Sequence, residues 1–309
     1  GGVEPSPTET VYHLTGESPP RVTEARTKLI EAAEQLGAQT ASTLAEAAGV
    51  SSSVVKGLAE AGVLRARSMP TDLPFDVPSP DLPGATLTDE QSEAAEALKQ
   101  AVSARGFSTF LIDGVTGSGK TEVYFEAIAE SLRTDPEAQI LVLLPEIALT
   151  QAILSRFEVR FGAKPAPWHS GLSDKERRRT WREVAHGRAR IVIGARSALF
   201  LPFHKLKLII IDEEHDGSYK QEDGVTYHAR DMAVMRAKLE GAIVVLASAT
   251  PALETVVNAE TGRYHRLQLS ARPGASRLPD VDLVDLRRAP PERNHWLSPH
   301  LIRPMQETR

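Results

Sequence analysis

The 309-residue chain contains no cysteine. Disulfides and thiolate metal sites are therefore excluded within it, and the absence fits a reducing compartment. No apolar run reaches membrane-spanning length, and the first residues carry no signal-peptide pattern. We therefore expect no membrane partner and a cytoplasmic location. Nor is there an excess of positive charge: 36 Lys and Arg stand against 41 Asp and Glu, a formal net charge of −5. Without a global basic field, any nucleic-acid partner must be held by local patches. What remains is an ordinary globular composition, 41% apolar and 25% charged, enough for one large core and a smaller one. The chain opens on Gly1 and stops in a stretch of helical character, so we expect a piece of a longer polypeptide.

The densest chemical signal is Gly114-Val-Thr-Gly117-Ser118-Gly119-Lys120-Thr121, which fits G-x-x-x-x-G-K-[ST]. Phe110-Leu111-Ile112 before it reads as a buried strand, and Tyr124, Phe125, Ile128 and Leu132 after it recur at helical spacing. A strand feeding a glycine-rich turn into a helix N-terminus points backbone N–H groups and the positive dipole end at one spot, which suits phosphate. Lys120 is expected to reach the β- and γ-phosphates of ATP, and the Thr121 hydroxyl to ligate Mg²⁺. The alternative is a glycine-rich turn with no ligand.

Before this motif the periodicity predicts helices from Thr23 to Gly37, around Leu44 to Ala48, and through Val54 to Gly62, then a strand over 63–67. Three helices with a tight turn before the last, closed by a strand, form a winged-helix pattern over residues 1–68, with residues 1–10 expected to be mobile. Its third helix would expose Ser52, Ser53, Lys56 and Glu60, a poor set for reading bases, whereas Lys56, Arg65 and Arg67 could meet phosphates. A mere packing module is the other reading. Residues 69–86 carry five prolines and read as an interdomain linker. Thr88 and Gln91 are spaced as a capping box opening the next helix.

From Phe107 onward, uniformly apolar strands at 107–112, 140–144, 191–193, 207–211 and 242–247 alternate with helical patterns. This predicts an α/β fold with a doubly wound parallel sheet, whose ligands bind outside the carboxyl ends of the strands. Two further motifs sit at such ends. Leu208-Ile-Ile-Ile ends in Asp212-Glu213-Glu214-His215. Asp212 would hold Mg²⁺ through its water shell, and Glu213 would orient or deprotonate an attacking water. Otherwise these are acids at a solvated strand end. After the last strand comes Ser248-Ala249-Thr250-Pro251. Its hydroxyls could bond His215 and couple nucleotide state to another site, or Thr250 could simply cap a helix that opens on Pro251.

In this order, with Leu144-Pro-Glu-Ile-Ala-Leu-Thr150, His169-Ser-Gly, Gly194-Ala-Arg-Ser-Ala-Leu-Phe200, Asp216 and Ala249-Thr-Pro-Ala-Leu-Glu254, the motifs resemble the PriA (primosomal protein N′) family of superfamily-2 DNA helicases. The resemblance covers roughly residues 10–305. It implies a 3′-to-5′ ATP-dependent helicase of replication restart, acting at stalled forks and D-loops. Its partners would be forked or single-stranded DNA, other primosome proteins and single-strand-binding proteins. Residues 87–309 would be the first RecA-like lobe, ending at the junction to a second, and zinc would be bound only in a part of the family's chain not represented here. The family links the glutamine at Gln91 to adenine. It also makes 216–230 an aromatic-rich loop coupling single-stranded DNA to hydrolysis, with Tyr219, Tyr227 and His228 stacking on bases and Lys220 and Arg230 near phosphates. Some relatives carry Trp-Arg where this chain has Val225-Thr226. By itself the segment reads as a polar surface loop, and Arg177, Arg178, Arg179, Arg182 and Arg196 as a solvated basic cluster. An ATP-gated DNA-binding regulator and a non-hydrolysing fork-binding scaffold are the competing functions. The first would want base-reading side chains at 52–60, and the second is opposed by intact Lys120, Asp212 and Glu213.

Overall fold

The computed structural model describes residues 8–70, 74–145, 151–270, 283–291 and 295–307, so residues 146–150 of the Leu144–Thr150 motif lie outside it. The chain falls into two compact units, residues 1–271 and 272–309. The second contains one described helix, Pro299–Glu307 (α10, after the nine introduced below).

The first unit opens with β1 (Thr8–Leu14), α1 (Glu24–Leu36), β2 (Gln39–Thr40), α2 (Ala41–Ala48), α3 (Ser52–Glu60) and β3 (Leu64–Pro70). Each helix begins on a hydroxyl cap, with Thr23, Thr40 and Ser51 accepting backbone N–H bonds. The apolar faces of the helices meet in a core of Leu29, Leu44, Val55, Leu58 and Val63. The expectation of mobility over residues 1–10 is corrected for its last three, and the first seven lie outside the described residues. β1 starts at Thr8 and pairs antiparallel with β3 along its whole length and with β2 at Val11 and Tyr12. Val11 is its one fully buried residue, so a single inward side chain and the backbone ladder fix a strand that polar composition had hidden. Pro70 is tolerated because β3 is an edge strand.

The larger part runs α4 (Asp89–Ala104), β4 (Ser108–Gly114), α5 (Lys120–Thr134), β5 (Gln139–Leu143), α6 (Gln151–Phe161), β6 (Ala166–Trp168), α7 (Asp174–Ala185), β7 (Ile191–Gly194), β8 (Leu206–Asp212), the two-residue pair β9 (Lys220–Gln221) and β10 (Tyr227–His228), α8 (Ala229–Glu240), β11 (Ile243–Ser248), α9 (Leu253–Glu260) and β12 (His265–Leu269). Seven of these strands form one all-parallel sheet in the order β12-β4-β11-β8-β5-β7-β6. Alternate residues feed two cores: Ile112, Val142, Ile210 and Val245 pack on one face, and Leu111, Leu141, Ile209 and Leu246 on the other. That is why the strands read as continuous apolar runs. β6 and β12 escaped the sequence reading because they are edge strands with few apolar residues, Ala-Pro-Trp and His-Arg-Leu-Gln-Leu.

Residues 74–85 form no regular element, as their prolines require, yet they are strapped to the sheet unit by arginines. The Arg160 guanidinium donates to the Leu82 carbonyl at 2.8 Å and to Glu126 at 3.0 Å. Arg133 donates to the Pro80 carbonyl, and Arg179 lies 4.2 Å from the centre of the Phe75 ring. Arg160 is 6% exposed, and its loss would remove part-buried hydrogen bonds to the Leu82 carbonyl and the Glu126 carboxylate. Arg160→Ala should lower stability by about 1–3 kcal/mol, the worth of hydrogen bonds made by a charged group, read by urea denaturation. It should also speed proteolytic cleavage within 74–85, whereas unchanged cleavage would mean the prolines alone hold the segment.

Candidate nucleotide site

The strand order decides what meets what. β4, β11 and β8 are neighbours, so the glycine-rich turn, the Ser248 segment and the acidic segment leave the sheet side by side, although they are far apart in sequence. Gly117 and Gly119 adopt φ of +81° and +84°, backbone that a side chain would strain. Gly114 has no room for a Cβ against Ser118 and Leu269. Lys120 is buried and donates to the Gly114 carbonyl at 2.8 Å, folding its ammonium back over the turn. Ser118 Oγ is buried with no hydrogen-bond partner. An ammonium, an unpartnered hydroxyl and two left-handed glycines in one turn fit a phosphate group. Gln91 closes the turn from behind. Its carbonyl accepts from Thr88 N–H, completing the capping box, and its amide donates to Ser118 O at 2.8 Å. Its polar atoms thus brace the turn.

Asp212 ends β8 opposite this turn. Its Oδ2 accepts from the Tyr124 hydroxyl at 3.0 Å and its Oδ1 from Glu213 N–H at 3.0 Å. Burial, and then the charge of Glu213, pushes the Asp212 carboxyl above its ordinary 3.8, while Tyr124, Glu213 N–H and Lys120 pull it back. A divalent cation held between Thr121 and Asp212 would meet this donor set on hard oxygens, as Mg²⁺ requires. Glu213 is partly exposed and sits in left-handed backbone, φ +47°. His215 Nδ1 lies 2.7 Å from Ser248 Oγ and 3.7 Å from Glu213 Oε2, so the acidic segment and the Ser248 segment are in direct contact.

Three expectations are corrected. Thr250 does not cap the helix after β11: it is exposed, and its N–H donates to Ser248 Oγ. That helix, α9, begins two residues beyond Pro251. Its first turn is served from outside by Glu214, which accepts from Ala252 N–H at 2.7 Å and the Thr255 hydroxyl at 2.9 Å. Tyr219 is not offered to bases. It is 1% exposed, and its hydroxyl reaches the carbonyls of Asp212 and Leu143. Arg230 is not offered to phosphates either, because it is buried against Glu214 at 3.1 Å and bonds Asp231. Both side chains spend their polar atoms on the strand end and its neighbours.

The other residues named for DNA remain near the surface. Lys220 is exposed and paired with Glu222, and Tyr227 lies edge-on to Phe200. His228 is half-buried and accepts from Arg230 N–H; burial, and then Arg230, hold it below the usual imidazole range, so it stays neutral. Lys56, Arg65 and Arg67 are exposed on the small helical part. The arginine cluster is less free than its spacing suggests. Arg177 packs on Trp168, Arg179 on Phe75, and Arg196 donates to the carbonyls of Ser218 and Lys220. Sequence reasoning missed Tyr124 and Glu214 as site residues. Glu214 was visible as the third consecutive acid, whereas Tyr124 looked like any core aromatic.

The raised Asp212 carboxyl has a consequence for binding. Mg²⁺–nucleotide affinity should fall on acidification at a higher pH than an unperturbed aspartate would give, because a cation held there needs the ionised form. Tyr124→Phe removes a bond that favours that form, so the fall should move to higher pH; titrations across pH on both proteins check this. An identical profile would place the metal away from Asp212.

Comparison with known proteins agrees with this geometry. The DEAD/DEAH box helicase family matches residues 88–259, more than half of the chain. The replication restart protein PriA of Bacillus subtilis is 41% identical over 275 residues, which cover 87% of this chain and 33% of that protein. PriA of Rickettsia prowazekii is 44% identical over 216 residues, covering 70% of this chain and 32% of that protein. The chain thus spans about a third of the length of these relatives. Among solved structures, RecG bound to a three-way DNA junction aligns with a TM-score of 0.47 at 20% identity, over 63% of this chain and 25% of that one. With the glycine-rich turn, the acidic strand end and the Ser248 segment aligned on three adjacent strands, the chain belongs to the DEAD/DEAH box helicase family.

Proposed function

We propose that this chain is the ATP-binding part of a 3′-to-5′ DNA helicase that restarts replication at stalled forks in the cytoplasm, alongside primosome and single-strand-binding proteins. The observation that carries the reading is the adjacency of β4, β11 and β8, which assembles three separate motifs into one site. The likeness to PriA over most of the chain supports the choice of substrate. On this reading residues 1–68 are a winged-helix module that meets DNA phosphates through Lys56, Arg65 and Arg67, residues 69–86 connect it to the lobe, and the lobe begins at residue 87. Lys220, Tyr227 and His228 are the members of the 216–230 loop able to face a strand.

The chemistry follows from the placement of charges. Backbone N–H groups of residues 117–121 and the Lys120 ammonium cradle the phosphates, where the N-terminus of α5 adds its dipole. Thr121 and Asp212 would hold Mg²⁺, which when bound neutralises phosphate charge. Glu213 orients the water and accepts its proton, and Gln91 reaches adenine only if its amide leaves Ser118. His215 and Ser248 pass any change at the acidic segment to the strand beside it.

The test uses two variants. Lys120→Ala should weaken nucleotide binding by about tenfold to a hundredfold, the worth of a charge-assisted hydrogen bond, in a titration with a fluorescent ATP analogue. Glu213→Gln should bind normally but lose turnover in the intact protein, since phosphate contacts survive while water activation does not. Undiminished affinity in the first would remove the phosphate site, and undiminished hydrolysis in the second would make the acids structural.

A further inference from the structure

Glu213 and Arg105 are the two non-glycine residues with positive φ among the described residues. Left-handed backbone is disfavoured for such a residue, so something must hold it. The peptide between Asp212 and Glu213 is tied on both sides. Its N–H, that of Glu213, donates to Asp212 Oδ1 at 3.0 Å. Its carbonyl, that of Asp212, accepts from the Tyr219 hydroxyl at 2.6 Å. Because a peptide is planar, fixing both ends fixes the plane, and the plane sets the backbone of Glu213.

Tyr219 is well suited to act as this fastening. Its ring is buried in the sheet core, and its hydroxyl is aimed at backbone carbonyls, which can only accept. The turn that carries it, Gly217–Tyr219, is held independently: Asp216 caps it through Ser218 N–H, and Arg196 donates to the carbonyls on either side of Tyr219. The hydroxyl has one proton and two carbonyls in reach, Asp212 at 2.6 Å and Leu143, the last residue of β5, at 3.0 Å. It can serve only one as donor at a time.

Resting on the reading that Glu213 activates water, we infer that Tyr219 is a positioning residue for Glu213. By donating to the Asp212 carbonyl, its hydroxyl keeps the 212–213 peptide in the orientation turnover requires. Turning that O–H toward the Leu143 carbonyl instead releases the peptide. With its ring buried and its hydroxyl on backbone carbonyls, Tyr219 acts through the backbone.

The test is Tyr219→Phe in the intact protein, which keeps the ring and removes the hydroxyl. The expected result is a kcat for ATP hydrolysis reduced about tenfold, the loss of one ordinary hydrogen bond, with KM and nucleotide affinity unchanged. In a Glu213→Gln background the same change should have no further effect on residual single-turnover hydrolysis. An unchanged kcat in Tyr219→Phe, with Glu213→Gln inactive, overturns the inference and leaves the function standing. Equal losses in both backgrounds also overturn it, because Tyr219 would then act elsewhere. Full turnover by Glu213→Gln removes the reading of Glu213 and this inference with it. Should the phenylalanine variant not fold, hydrogen exchange of the Glu213 amide in the wild type decides. Protection comparable to that of core strands supports a held peptide, and exchange at open-loop rates overturns it.

Discussion

Carrying three consecutive carboxylates out of a buried strand is costly, and much of the site exists to offset that cost. An isolated buried carboxylate loses its hydration, and each of these acids finds a different compensation. Glu214, with no exposure, takes a guanidinium, a backbone N–H and a hydroxyl, so its charge is matched and its oxygens are filled. Asp212 is supported by neutral donors, Tyr124 and a peptide N–H, which offset burial and the charge of Glu213 only in part, so its carboxyl stays raised. Glu213 turns outward and stays partly wet. Three neighbouring acids thus acquire three environments: one ion-paired with its oxygens filled, one held by neutral donors, and one partly open to water.

The parallel sheet makes this arrangement possible. Every strand in it ends on the same edge, so crossover connections deliver the phosphate turn, the acids and the Ser248 segment to one rim. The same geometry creates a demand at the opposite rim, where strand starts must be satisfied. Gln139 meets it with all its polar capacity. Its amide donates to the carbonyls of Val184 and Ala189, and its carbonyl accepts from His204 and Lys205 N–H groups, so one buried side chain ties three loops together. A leucine of similar size would fill the space and strand four backbone groups.

Much of this was legible without coordinates. The glycine-rich motif, the apolar strands and the capping box at Thr88 are local patterns, written within a few residues of where they act. What was not legible depends on distance in sequence. Tyr124 meets Asp212 across 88 residues and Glu214 meets Thr255 across 41, and no spacing rule reaches that far. Tyr219 shows how composition misleads. An aromatic between Ser218 and Lys220 looks like a surface platform, yet the ring turns inward while both neighbours stay exposed. β1 was hidden for a related reason, since its ladder partners lie some fifty residues on.

Among the described residues, the two with positive φ outside glycine arise for different physical reasons. Arg105 follows α4 and its N–H closes the last turn onto the Val102 carbonyl, with Gly106 also left-handed, so helix termination accounts for its backbone. Glu213 follows a strand, where no terminating helix asks for such a conformation. Glycine would relieve the strain at no steric cost, and it would also remove the carboxylate. A non-glycine residue held there against its backbone preference is there for its side chain, and the hydrogen bonds around the 212–213 peptide are what keep it there. On the function proposed above, the strain, the fastening and the Glu213 carboxylate belong to one device, which links β5, β8 and the turn that opens the 216–230 loop.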